Sequence, residues 1–168
     1  RDTTLKREVE LEGKLYTAAF RDEVGGPGQR RALLAPYLES DDAGSFLVVW
    51  AGAFQDGSLS GIFGRHFDDA GFPSRGEFRV NSYTTDYQYD AAVASFGSGK
   101  FVVVWQSYGQ DGSGSGVFGQ RFNAAGQPLG TEFPVNGYTT ADQFGPAVAA
   151  NGAGGFVVVW ESWSPDDS

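Results

Sequence analysis

Tryptophan closes an apolar run at positions 50, 105 and 160, in FLVVW, FVVVW and FVVVW, so the chain repeats itself with a period of 55 residues. A sustained period of this length means that one supersecondary unit is used several times, each copy burying its apolar surface against its neighbours. Further landmarks keep the same offset: Gln55/Gln110, Asp56/Asp111, Phe63/Phe118, Phe67/Phe122, Pro73/Pro128, Glu77/Glu132, Asn81/Asn136 and the YTT triplets that start at Tyr83 and Tyr138. Roughly half of the positions between them are identical, far beyond chance for a fixed offset.

Each unit divides into four strand-like segments. In the second unit AAVAS (91–95) turns through FGSG into KFVVVWQSY, QDGSGSG (110–116) turns into VFGQRFNA, and AGQPLG leads to TEFPVN. Short β-rich segments punctuated by Gly, Pro, Asn and Asp at regular spacing point to an all-β chain. In FVVVW, Phe101, Val103 and Trp105 fall on one face and Val102 and Val104 on the other, so the strand is apolar on both sides and predicts cover on both. VFGQRF places Phe118, Gln120 and Phe122 on one face and Gly119 and Arg121 on the other, which predicts a strand nearer an edge.

Four antiparallel strands per unit, one of them doubly buried, are what a β-propeller blade requires; a β-sandwich of hairpins is the alternative. The expected units are modified amino-terminal strands at 1–34, forming an outer half-blade or cap, repeat 1 at 35–89, repeat 2 at 90–144 and the inner half of repeat 3 at 145–168. In the first segment REVELEG (7–13) reads as a half-exposed strand, and KLYTAAF (14–20) sets Tyr16 and Phe20 where Phe63 and Phe67 stand. GGPGQRRALL reads as a shortened connection, and APYLE (35–39) as the first strand of repeat 1. An outer half at one end and the inner half PAVAA…FVVVWESW at the other predict self-association by half-blade exchange, or further repeats of a longer parent, because an unpaired apolar edge is an aggregation hazard.

Charge narrows the partners. A net charge of −9 argues against nucleic acid, which needs clustered Lys and Arg, and the longest apolar run, FLVVWAGAF, is under half of the roughly 20 residues of a spanning helix. Neither nucleic acid nor membrane insertion is therefore expected. Cysteine is absent, which removes disulfides and thiolate metal sites.

The segments GGFVVVWES, QDGSGSGVFGQRFNAAGQPLGTEFPVN and YTTADQFGPAVAA resemble ~55-residue repeats of large secreted or surface proteins of bacteria, often found beside RTX-type calcium-binding nonapeptides. The resemblance covers residues 35–163 and implies extracellular or cell-surface display and adhesion. The RTX motif GGxGxD is itself absent, and of the Ser-x-Asp-x-Gly-x-x-Trp boxes of sialidase-type propellers only SDDAGSF (40–46) comes near, without the tryptophan.

Catalysis is not expected. A triad would need His66, the single histidine, which lies in FGRHF where the other unit has Arg121 and reads as a polar outward residue. Asp68, Asp69, Asp86 and Asp90, the carboxylates that a glycosidase would pair, are replaced in the second unit by Asn123, Ala124, Ala141 and Gly145. Calcium is the one metal to weigh, with Asp56, Ser58, Ser60, Asp111, Ser113 and Ser115 as its candidate ligands. One carboxylate per loop is thin for an ion that takes six to eight oxygens, and Asp-Gly is a strong hairpin signal, so the turn reading is preferred and no cofactor is required. Trp50, Trp105 and Trp160 read as core between units. Tyr83, Thr84, Tyr138 and Thr139, on connections, are the candidates for stacking on and hydrogen bonding to a glycan. The expectation is thus a noncatalytic interaction or structural module, with a lectin-like carbohydrate binder as the alternative and a glycosidase third.

Overall fold

The computed structural model describes residues 3–11, 14–22, 32–33, 46–68, 70–95, 97–151 and 154–163. These residues are all-β, without helix, in antiparallel sheets. A hairpin, β1 (Thr3–Leu11) and β2 (Lys14–Asp22), pairs in register from Thr3 opposite Asp22 to Leu11 opposite Lys14. The first sheet runs β3 (Ala32–Leu33), β4 (Phe46–Ala53), β5 (Ser60–Phe67) and β6 (Phe78–Arg79). The second repeats this order with β7 (Gln88–Ser95), β8 (Phe101–Tyr108), β9 (Ser115–Phe122) and β10 (Phe133–Pro134). The third is a pair, β11 (Asp142–Ala150) and β12 (Phe156–Trp163).

The 55-residue period is carried by the backbone itself. Left-handed φ occurs in matched pairs at Phe54/Gly109, Gly57/Gly112, Gly71/Gly126, Asp86/Ala141, Asp90/Gly145 and Gly99/Gly154. Asp90 and Gly145 mark the same bulge: two residues, Asp90–Ala91 or Gly145–Pro146, stand opposite one tryptophan, Trp105 or Trp160. An extra residue at that point sharpens the local twist of the first strand of each sheet.

The sheets stack face to face, and the doubly apolar strand explains why. From β8, Phe101, Val103 and Trp105 pack with Phe118 and Phe122 onto Leu47, Val49 and Ile62 of the first sheet. Val102 and Val104, on the opposite face, pack with Phe133 and Val135 against Val148, Phe156 and Val158 of the third. The second sheet therefore offers its Phe-Val-Trp face to the sheet before it and its valine face to the sheet after it. Glycine permits the close approach within a sheet: a Cβ on Gly64 would sit 2.9 Å from Phe78 Cζ, and one on Gly119 2.8 Å from Phe133 Cζ. The phenylalanines placed there meet the next sheet, Phe78–Phe101 at 6.3 Å and Phe133–Phe156 at 6.5 Å between ring centroids.

Three expectations change. The strand VFGQRF is interior, because β10 covers its outer edge, and it is buried except at Arg121. Ala32–Leu33, read from sequence as connection, is the strand that pairs with β4, opposite Trp50 and Val49, while residues 35–39 lie outside the described residues, as do 23–31 and 164–168. The three tryptophans are not equivalent. Trp105 is fully buried and Trp50 partly buried, but Trp160 is 39 % exposed, because no strand pairs with the outer edge of β12 among the described residues.

Burial this unequal has a measurable consequence. Trp105→Ala should cost about 3–5 kcal/mol, the usual range for a large aromatic removed from a packed core. Trp160→Ala should cost less than half as much, and urea titrations of the two variants give the comparison.

Candidate functional site

The repeated loop closes a hairpin in both full sheets, joining Ala53 to its partner Ser60 and Tyr108 to its partner Ser115. In each loop the aspartate accepts from the amide two residues on: Ser58 N–H donates to Asp56 Oδ1 and Ser113 N–H to Asp111 Oδ1, both at 3.2 Å. Only the glycine of each Asp-Gly pair has a positive φ, 95° at Gly57 and 91° at Gly112. The last glycine of QDGSxSG has a steric purpose. A Cβ on Gly116 would lie 2.6 Å from Asp111 Oδ2, and Gly61 is as closely covered by Asp56. The leading glutamine reaches the other end of the sheet, with Gln55 Nε2 donating to Glu77 Oε1 at 3.0 Å and Gln110 Nε2 donating to Glu132 Oε1.

The serines weighed as metal ligands are mostly committed elsewhere. Ser58 Oγ accepts from Asp86 N–H at 3.0 Å, and Ser60 Oγ donates to Gln88 O at 2.9 Å. Ser115 Oγ lies 3.3 Å from Tyr89 Oη, and Ser115 N–H donates to Asp142 Oδ1 at 2.8 Å. Asp56 Oδ2 and Asp111 Oδ2 are buried without a hydrogen-bond partner. No three Asp, Glu or His groups gather into one cluster among the described residues.

The YTT connections are held by a buried amide pair that sequence reading had only partly marked. Asn81 Oδ1 accepts from Ile62 N–H at 2.7 Å, while its Nδ2 donates to Tyr83 O at 2.7 Å and to Gln88 Oε1 at 3.2 Å. Gln88 Nε2 then donates to Thr85 O at 2.7 Å. The second unit reproduces this with Asn136, Val117, Tyr138, Gln143 and Thr140 at 2.7 to 3.0 Å. Buried polar side chains are tolerable when satisfied in this way. The signal for Gln88 and Gln143 was available in their 55-residue offset. Tyr83 and Thr84 are half-buried, whereas Tyr138 and Thr139 are exposed.

The remaining acidic residues have structural positions. Asp68 Oδ1 accepts from Phe72 N–H at 2.7 Å, as Asn123 Oδ1 accepts from Gln127 N–H at 2.9 Å in the second unit. Asp86 and Asp90 occupy left-handed positions, which Asp tolerates better than most side chains and which Ala141 and Gly145 take in the other unit. Asp69 lies outside the described residues.

His66 does not point outward to solvent. Its ring is half-buried between the first two sheets, 5.8 Å from Phe78 and 5.4 Å from Phe101 between centroids. The facing aromatic of the next sheet draws it in, and burial, followed by the Arg75 guanidinium, holds its pKa below the ordinary 6.5. Arg121, at the equivalent place, is exposed.

One rim of the stack, formed by the hairpin loops and the YTT connections, collects exposed aromatics: Phe54, Tyr87, Tyr108, Tyr138 and Trp163. Tyr87 and Tyr108 are joined through Tyr108 N–H donating to Tyr87 O at 2.9 Å. These residues sit beside the aspartates and serines of the same loops.

Two outcomes follow from this geometry. Gly116→Ala forces the Asp111 carboxylate aside and should cost about 1 kcal/mol, the order of one turn hydrogen bond. In an Asp111→Ala background the same change should cost clearly less, a coupling that a double-mutant cycle reads directly. For His66 the depressed pKa means that the fold prefers neutral imidazole. Its contribution is complete above pH 6.5 and is lost as pH falls below that value toward the folded pKa. Melting temperature followed from pH 7.5 to 5 should show an extra decline that His66→Phe removes. Comparison with family models, with curated proteins and with solved structures found no match to this chain.

Proposed function

We propose that the chain is a noncatalytic repeat module of a secreted or cell-surface bacterial protein, a propeller-like array in which sheets act as successive blades and which serves as an adhesive or structural part. The observation that carries this reading is the use of the repeated polar residues. Gln110, Asp111, Glu132, Asn136 and Gln143 each have a hydrogen bond within the fold, and the first unit repeats the same bonds with Gln55, Asp56, Glu77, Asn81 and Gln88. A residue set that recurs because it holds sheets and loops together is a scaffold set. Serial face-to-face stacking of four-stranded meanders supports the propeller-like form, with the sheets β3–β6 and β7–β10 as blades and β11–β12 as the start of another. The resemblance to repeats of displayed bacterial proteins supports the extracellular setting, and no metal is needed for the bonds named here.

A second reading, glycan binding, is favoured by the aromatic rim. Aromatic faces stack on sugar rings, so a rim of exposed Tyr, Trp and Phe suits an uncharged glycan. Sites repeated along the array would bind by multivalency.

Fluorogenic glycosides should not be turned over above the rate of buffer, and measurable turnover abolished by substitution of a rim carboxylate would overturn the noncatalytic reading. On a glycan array the scaffold reading predicts no selective binding. Selective binding lost in Tyr108→Ala, with the melting temperature unchanged, would establish the lectin-like reading instead.

A further inference from the structure

Three oxygens close together in the second unit, Ser107 Oγ, Gln110 Oε1 and Asp111 Oδ2, are buried without a hydrogen-bond partner. Ser107 is fully buried near the end of β8 and stands directly opposite Gly116 of β9. Residues so placed on antiparallel strands send their side chains to the same face, with Cβ positions about 4.5–5.5 Å apart. The room of the missing Gly116 side chain is taken by Asp111, whose Oδ2 lies 2.6 Å from where a Cβ would be. The Ser107 hydroxyl and the Asp111 carboxylate therefore face one another across the strand pair. Gln110 adds the third oxygen: its Nε2 donates to Glu132 Oε1, which fixes the orientation of the amide and leaves Oε1 as the free end. The first unit shows where that end lies. There Gln55 Oε1 and Asp56 Oδ2 are the atoms nearest to the Cβ positions of Gly52 and Gly61, the opposed pair that corresponds to Ser107 and Gly116.

We propose that Ser107 Oγ, Gln110 Oε1 and Asp111 Oδ2 coordinate a calcium ion, with water completing its shell. The ligands are all oxygens, the set a hard cation selects, and calcium holds them at about 2.3–2.6 Å. Two ligands on opposite sides of such an ion are thus about 5 Å apart, the spacing of opposed side chains on paired strands. Charge favours an ion over a buried water. The donors that meet the two neighbouring carboxylates are all neutral: Ser113 N–H on Asp111, and the Gln110 amide with the N–H and hydroxyl of Ser82 on Glu132. A buried carboxylate oxygen and a carbonyl oxygen without donors are costly together, and a cation offsets the desolvation of both.

Magnesium fits less well, because it demands near-ideal octahedral geometry and gives up water reluctantly, whereas calcium accepts irregular mixtures of carboxylate, amide, hydroxyl and water. With a single coordinating carboxylate the site belongs at the weak end of calcium affinities, about 0.1–1 mM. The serine that makes the site lies on the strand and not in the loop, where Ser115 Oγ is engaged by Tyr89 Oη. The first unit is the poorer copy. Gly52 stands in place of Ser107, and Gln55 is exposed where Gln110 is partly buried.

Calcium at about 10 mM should raise the melting temperature by about 5 °C, the shift that a site of this affinity confers on a chain of this size, and magnesium should do far less. Asp111→Asn keeps an acceptor for Ser113 N–H and turns Oδ2 into an amide that donates to Gln110 Oε1 or Ser107 Oγ. In chelator it should melt no lower than the parent, and in calcium it should show no shift. Ser107→Ala, which leaves the loop untouched, should weaken calcium binding at least about tenfold by titration calorimetry, the low end of what substitutions around metal sites cost. Asp56→Asn, in the unit that lacks the serine, should retain the calcium shift. Absence of any calcium shift in the parent would overturn the ion and leave a buried water in its place. An equal shift with magnesium that survives in Asp111→Asn would overturn it too, as mere screening of the net charge of −9. Unchanged calcium affinity in Ser107→Ala, or loss of the shift in Asp56→Asn, would overturn the placement at the second unit.

Discussion

A strand that is apolar on both faces is stabilised most when a sheet covers each of them, and β8 at the centre of the stack shows that arrangement. Every residue of β8 from Phe101 to Ser107 is buried, so the second sheet must have a neighbour on either side. Removing both faces of one strand from water, at about 25 cal/mol per Å² of apolar surface, makes the contact between sheets the dominant stabilising term. The pairing of unlike faces, Phe-Val-Trp against valine, then gives the stack a direction. The second sheet meets the one before it by its aromatics and the one after it by its smaller side chains.

That direction explains why the polar residues of the repeat lie at the ends of strands. Strand interiors are occupied by packing, so the hydrogen-bonding groups of each connection must be met at the rim. The Asn81–Gln88 and Asn136–Gln143 pairs do so for backbone groups that would otherwise be buried unpaired. Ser82 extends the effect between sheets: its N–H and hydroxyl both donate to Glu132 Oε2, at 2.6 and 2.8 Å, tying the end of the first unit to the second. A loop rich in Asp, Ser and Gln can therefore look like a ligand shell in sequence while its groups face inward.

Scaffold and decoration separate along the period. The residues that recur at 55-residue spacing are those that cap, pack or pair. The exposed aromatics of the rim recur only in part: Tyr138 corresponds to Tyr83 and Trp163 to Tyr108, but Phe54 corresponds to Gly109, Tyr87 to Asp142 and Tyr108 to Ala53. Variation at exposed rim positions on a constant frame is how loop-bearing scaffolds diversify what they contact.

The sequence by itself determined the period, the all-β class, the positions of the long strands and the turn character of QDGSxSG, because these depend on local chemistry. Alternation along a strand, the left-handed tolerance of glycine and the short reach of an aspartate to an amide two residues on are all encoded within a few residues. The tertiary structure decided what depends on the element across the gap. His66 and Arg121 occupy the same place in the repeat, but His66 meets Phe101 and Phe78 while Arg121 is exposed. Trp105 and Trp160 stand in near-identical strands, but β9 flanks one, and on the same side of the other no strand of the described chain is paired. The short strand Ala32–Leu33 carries too little pattern to announce itself and is defined by its pairing with β4. Burial is a property of two surfaces, and a single segment of sequence describes only one of them.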